Sequence, residues 1–253
     1  MTTTKQAAFL GRVEAALSTA RMGRFYLSAS EPKWEPLARY EWNVAICQAF
    51  YPLLHHFEIV LRNSVSRFGA TAYPFAKFEH IPSWLDAIPS PLHPGYGARD
   101  IFKAKQKLFG TDRTTGALLP PARPYSEGDL VAGLDFGFWT GLFNPYYRGR
   151  SAHDKRLWPP GLPVVFPHAV PVPRPPEVST RLNDLRHLRN RIFHHEPVWK
   201  RKLAADRYNI FEVIGWVSPE ALRVLRSMER VTEVISDDFR RKVRVRVYRE
   251  SRR

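Results

Sequence analysis

Apolar residues recur at helical spacing along most of this 253-residue chain. Phe9, Val13 and Leu17 stand at steps of four and predict a first amphipathic helix from Thr4 to Leu17. Ser18 is placed to cap a second short helix through Arg21, Phe25 and Leu27. Phe50, Leu54, Phe57, Leu61, Val65 and Phe68 then repeat at steps of three and four, the stripe of a long core helix predicted over 34–68. Pro52 lies inside it, where a missing N–H and a bulky ring are expected to kink it.

Residues 69–98, rich in Pro, Gly and aromatics, predict loop with short turns, followed by a short helix from Ala98 to Phe109. Ser126, with Asp129 three residues on, resembles a capping box opening a helix that carries Leu130, Val131, Leu134, Phe136, Phe138, Trp139 and Leu142. The eight prolines of 159–176 predict a largely extended crossover. Pro175 and Pro176 suit the first turn of a helix running to about His195, and Ser218-Pro219 opens a helix after another predicted over 204–216. In the tail, 240–253, valine alternates with arginine, which reads as a short edge strand or as a flexible basic arm. The expected architecture is all-α: one helical domain over 1–239, with long loops and a proline-rich crossover, and a basic tail.

Composition narrows the partners. Thirty-nine Lys and Arg against 24 Asp and Glu give +15, an excess that attracts polyanions such as nucleic acid or an anionic membrane surface. Arginine inside the candidate site favours nucleic acid. Cys47 is the single cysteine, so no intramolecular disulfide forms and a cytoplasmic home is expected. The N-terminal residues lack the apolar core of a signal peptide, and no stretch reads as long and apolar enough to cross a bilayer, so a soluble protein with no membrane partner is expected. No Walker loop, dinucleotide fingerprint or serine elbow is present.

The chemistry concentrates in Arg186-His-Leu-Arg-Asn-Arg-Ile-Phe-His-His-Glu-Pro197. At about 100° per residue, Leu182, Leu185, Leu188, Ile192 and Phe193 share one face, while His187, Asn190, Arg191 and His194 share the other. Arg189 falls within the apolar arc, where a guanidinium must pair with an acid, Glu58 being one candidate, or line a cleft. Pro197 disfavours helix at Glu196, so a distorted last turn, or a second copy of the helix across a two-fold axis, would bring His194 and Arg189 together. Histidine exchanges protons near neutral pH and arginine grips phosphate oxygens, a pairing suited to cleaving RNA through its 2′-hydroxyl. His187 and His195 read as surface or packing histidines that support the site rather than as catalysts. Glu58 and Arg62, four apart and followed by Asn63, read either as a plain helix ion pair or as a support that orients Arg189 or Asn190. His55-His56 and His194-His195-Glu196 lack the spacing of metal-binding helices, so neither metal nor cofactor is expected. Tyr146, Tyr147, Arg148 and Arg150 form an aromatic-basic patch that either stacks on RNA bases or is ordinary surface.

Arg189-Asn190-Arg191-Ile192-Phe193-His194 resembles the R-x4-6-H signature of the HEPN superfamily, and the string from Leu188 to Pro197 resembles its Abi-like (abortive infection) branch. Tyr40-Glu41-Trp42-Asn43, Phe50-Tyr51-Pro52-Leu53, Glu58 with Leu61-Arg62-Asn63, Phe136-Gly137-Phe138-Trp139 and Gly215-Trp216 extend the resemblance over about 18–235. It implies an all-α bundle, a homodimer whose paired motifs form one cleft, and metal-independent endoribonuclease activity in phage defence or as a toxin held by an RNA or protein antitoxin. It carries Arg189, His194 and Asn190 over as the catalytic set and Glu58 as the acidic residue of the first core helix. A non-catalytic RNA- or partner-binding module of such a system is the alternative it also implies.

Overall fold

The computed structural model describes residues 4–72, 83–85, 95–120, 125–148 and 157–253. Among them the structure is helical, with two isolated β-bridges and no strand. The helices are α1 (Thr4–Leu17), α2 (Thr19–Met22), α3 (Trp34–Ala72), α4 (Gly95–Phe109), α5 (Glu127–Gly133), α6 (Phe136–Gly141), α7 (Leu162–Val165), α8 (Pro175–Phe193), α9 (Leu203–Val217), α10 (Pro219–Met228), α11 (Val231–Val234) and α12 (Asp237–Glu250). The expected all-α class is what forms. By contacts the chain divides into two compact units, one of 1–56, 187–211 and 223–253, the other of 57–186 and 212–222.

In the first unit, Leu10, Met22, Leu37, Ala38 and Val247 form a buried cluster, with Phe9, Val13, Leu17, Tyr26, Trp34, Tyr40 and Val243 packed around it. This corrects the reading of 240–253 as strand or flexible arm. Phe239, Val243 and Val247 stand at steps of four, the helical period, and Ser236 caps the helix by accepting from the Phe239 amide. The packing of Val243 and Val247 against α1 and α3 decides between the two periods. Gln6 donates to the Ser251 hydroxyl at 2.7 Å, so α1 and the end of α12 are joined.

Between α2 and α3 the chain is tied to the α3 helix by Arg39. Its guanidinium donates to the Phe25 carbonyl at 2.8 Å and to the Glu31 carboxylate at 2.9 Å. The Arg39 hydrogen bond holds the Glu31 carboxyl below its ordinary range. A depressed carboxylate stabilises the fold above its unfolded pKa, and that contribution is lost as pH falls. Lowering the pH from 6 to about 3 is therefore expected to cost the wild type more unfolding free energy in urea than it costs Glu31→Gln.

The second unit is built on the far half of α3. Phe57, Leu61 and Val65 are sealed, as the stripe predicts, Phe57 meeting Phe136 edge-on at 5.4 Å. Phe68 stacks on Trp158 at 5.8 Å, and Trp158 on Phe143 at 4.3 Å. The capping box at Ser126 and Asp129 forms. The helix it opens stops at Gly133, however, because Asp135 accepts from the Phe138 amide at 2.9 Å and caps a separate α6. The proline-rich segment is not wholly extended. Pro163 falls in the first turn of α7, where its missing N–H costs nothing, and Leu162, Val165 and Phe166 are buried. Helix α3 runs unbroken through Pro52 and on to Ala72, beyond the predicted end at Phe68.

One further expectation is overturned. Helix α3 is long and apolar enough, by length and composition, to cross a membrane, with an 18-residue window of mean hydropathy 1.3. Its periodic face supplies Ile46, Phe50, Leu53 and Leu54 to the interior, all at most 1% exposed, which is how the core helix of a globular protein comes to pass the same test.

Candidate functional site

The last turn of α8 closes in a Schellman arrangement. The His195 amide donates to the Ile192 carbonyl at 3.1 Å and the Glu196 amide reaches back to the Arg191 carbonyl at 2.7 Å. The residue between them, His195, takes the left-handed conformation at φ 57°, a position glycine usually fills. Pro197 explains why the chain must leave the helix here: it disfavours helical geometry at Glu196, and α8 ends at Phe193, near the expected end at about His195.

Three side chains hold this turn. Arg191 wraps onto the Pro197 carbonyl, Nε at 3.1 Å and Nη2 at 2.6 Å, so its place on the polar face serves structure. Asn43, only 5% exposed, accepts the amides of Val198 and Trp199 at 2.7 and 3.2 Å through one oxygen. Arg21 reaches across from α2 and donates to the His195 carbonyl at 2.7 Å. A left-handed non-glycine residue costs about 1–2 kcal/mol. His195→Gly is therefore expected to raise stability by about 0.5–1 kcal/mol after the entropy of the more flexible unfolded chain is subtracted, read as a higher urea midpoint.

Beside the turn lies a cleft of about 360 Å³, lined by Ser18, Ala20, Arg21, Arg24, His194, His195, Glu196 and Pro197. Its α2 wall is fixed from behind, since Phe25 is buried between Tyr40, edge-on at 5.4 Å, and Trp199, stacked at 6.3 Å. Ser18 caps α2 by accepting from the Arg21 amide, at φ 73°. Ser18 and His195 are the two non-glycine residues with positive φ among the described residues, and both line this cleft. Such conformations cost about 1–3 kcal/mol each and gather where a fold holds groups for a task.

Comparison of the chain with protein-family models, with curated proteins and with solved structures returns no match. The residues themselves therefore carry the functional reading.

His194 is exposed in the cleft. Arg189 is half-buried, outside the cleft lining, with its guanidinium 4.2 Å from the Phe193 ring centre. Phe193 in turn stacks on Tyr51 at 5.6 Å. Phe193 is thus not part of the apolar core face predicted for it: it is 40% exposed, whereas Leu182, Leu185 and Leu188 are sealed. The ring sits in the final turn, where the helix parts from its packing. Asn190 and His187 are exposed on the polar face. Glu58, Arg62 and Asn63 belong to the second unit; Glu58 and Arg62 are half-buried and Asn63 is exposed. The Arg62 Nε is buried without a hydrogen-bond partner among the described residues.

Of the Tyr146–Arg150 patch, Tyr147 is 1% exposed, Tyr146 is half-buried and stands edge-on against it, and Arg150 lies outside the described residues. Burial pushes the Cys47 thiol up to about 11, which leaves it a poor nucleophile at neutral pH. Arg21 and Arg24 were not read as site residues. They stand some 170 positions before the motif, and only their short spacing from the Ser18 cap hinted that they share a turn.

Proposed function

We propose that the protein is a metal-independent endoribonuclease of the HEPN type, related to the Abi-like branch, and that it acts on RNA in the cytoplasm in phage defence or as a toxin. The observation that carries this reading is His194 standing exposed in a polar cleft with two arginines, in a chain of charge +15. In this reading His194 exchanges the proton of the 2′-hydroxyl or of the leaving 5′-oxygen. The 2′-oxygen attacks phosphorus as the bond to the 5′-oxygen breaks, leaving a 2′,3′-cyclic phosphate and a 5′-hydroxyl. Arg189 stabilises the charge on the phosphorane-like state, and Asn190 positions the phosphate or His194. A homodimer that pairs two motif helices is the route by which Arg189, lying over Phe193, is brought to a shared linkage. An antitoxin of RNA or protein is a further partner of this proposal.

The test is incubation of purified protein with mixed single-stranded RNAs in EDTA, beside DNA of the same sequence. Fragments ending in cyclic phosphate, from RNA alone, support the reading; intact RNA throughout rejects it. The position of Arg189, outside the cleft lining, favours a second reading: a non-catalytic module that binds RNA or a partner protein. It predicts salt-sensitive RNA binding with no cleavage.

A further inference from the structure

We propose that the cleft between α2 and the end of α8 is a phosphate-binding subsite for single-stranded RNA, with Arg24 and the spare N–H groups of Arg21 as the gripping donors. This deepens the ribonuclease reading and rests on it for the identity of the ligand.

The charge balance points to an anion. Arg21, Arg24, His194 and His195 all line the cleft, and Glu196 is its one acid. That acid is drawn toward Arg191, whose Nε lies 3.8 Å from its Oε2. Arg24 is exposed and has no partner of its own among the described residues. Arg21 commits one Nη to the His195 carbonyl and keeps further donors of its guanidinium for a ligand.

Size and rigidity agree with the charge. The volume falls within the roughly 300–1,000 Å³ of small-ligand sites, enough for a phosphate and its sugar. Both walls are held before any ligand arrives. The α2 wall is anchored by Phe25 and by the grip of Arg39 on its carbonyl, and the α8 wall by Arg191 and Asn43. A guanidinium presented from a fixed wall loses less freedom on gripping phosphate than one on a mobile loop. A phosphate seated here also lies beside His194, the group assigned to proton transfer, so the subsite would fix the register of the strand against it.

Binding is measured by fluorescence anisotropy with a short labelled unstructured oligoribonucleotide, in EDTA, using His194→Ala full-length protein so that the probe stays intact. Adding Arg24→Ala is expected to weaken binding roughly tenfold and to lower the slope of log affinity against log salt by about 0.7, the value of one lost phosphate contact on a single strand. Arg24→Lys should recover much of the affinity, because a point charge still attracts phosphate. Unchanged affinity and slope in Arg24→Ala, with RNA bound by the His194→Ala parent, would overturn the subsite and leave the ribonuclease reading standing. Arg24-dependent binding without cleavage by the wild type would uphold the subsite and remove the enzyme. Absence of RNA binding by the parent would sink both. A change in oligomeric state with RNA binding unchanged would assign the cleft to a second copy of the chain, and the proposal would fall.

Discussion

Asn43→Ala should destabilise the protein by about 2–4 kcal/mol, one of the two largest effects expected. One side-chain oxygen satisfies two consecutive amides, Val198 and Trp199, and Val198 is wholly buried. Alanine leaves both donors without an acceptor, and a buried orphan costs about 1–3 kcal/mol. A domain of ordinary stability holds only about 5–15 kcal/mol, so urea denaturation will register the loss readily. Hydrogen exchange separates the cause from general loosening. The Val198 and Trp199 amides should lose protection ahead of the sealed Leu182 and Leu185 in α8. Equal protection loss in all four would show that Asn43 acts through global stability and not by pinning the turn.

The second large effect is on chemistry. His194→Ala is expected to lower RNA cleavage by about 10²–10⁴, the usual worth of a proton-transfer group. The side chain is exposed, so stability should change by no more than about 0.5 kcal/mol. Retained cleavage in the alanine variant would remove His194 from the reaction. Parallel loss of cleavage and of the folding transition would point instead to damage of the turn.

Much of the scaffold was legible because the signals are local. The steps of four in α1, the α3 stripe, the Ser126 capping box and the proline pair opening α8 each involve residues within a few positions of one another, and each forms. Two misreadings came from competing periods or caps. Valines 243, 245 and 247 alternate as in a strand, yet 243 and 247 also fit a helix, and only the α1–α3 surface they meet selects it. Leu130 to Leu142 reads as one stripe, but Asp135 can end one helix and start the next.

The site was legible only in part. Pro197 announced that α8 must stop, but nothing in a histidine's composition announces a left-handed turn at 195. The residues that meet there come from distant segments: Arg21 and Asn43 precede it by 174 and, for the amide at 198, 155 positions. Periodicity has no reach over such separations. Asn43 entered the sequence reading as one letter of a resembling string, and its buried double acceptance supplies the physical reason for the amide at that position.

The bond from Gln6 to Ser251 joins residues 245 apart, and the cluster around Leu10 lacks Val247 until α12 is in place. During synthesis, then, α1 and the adjoining arginine-bearing segment wait without their last packing partner while the rest of the chain emerges. Seating Val247 against Leu10 must therefore wait until α12 has been made, so this corner of the first unit closes after the segments that lie between its two halves in the chain.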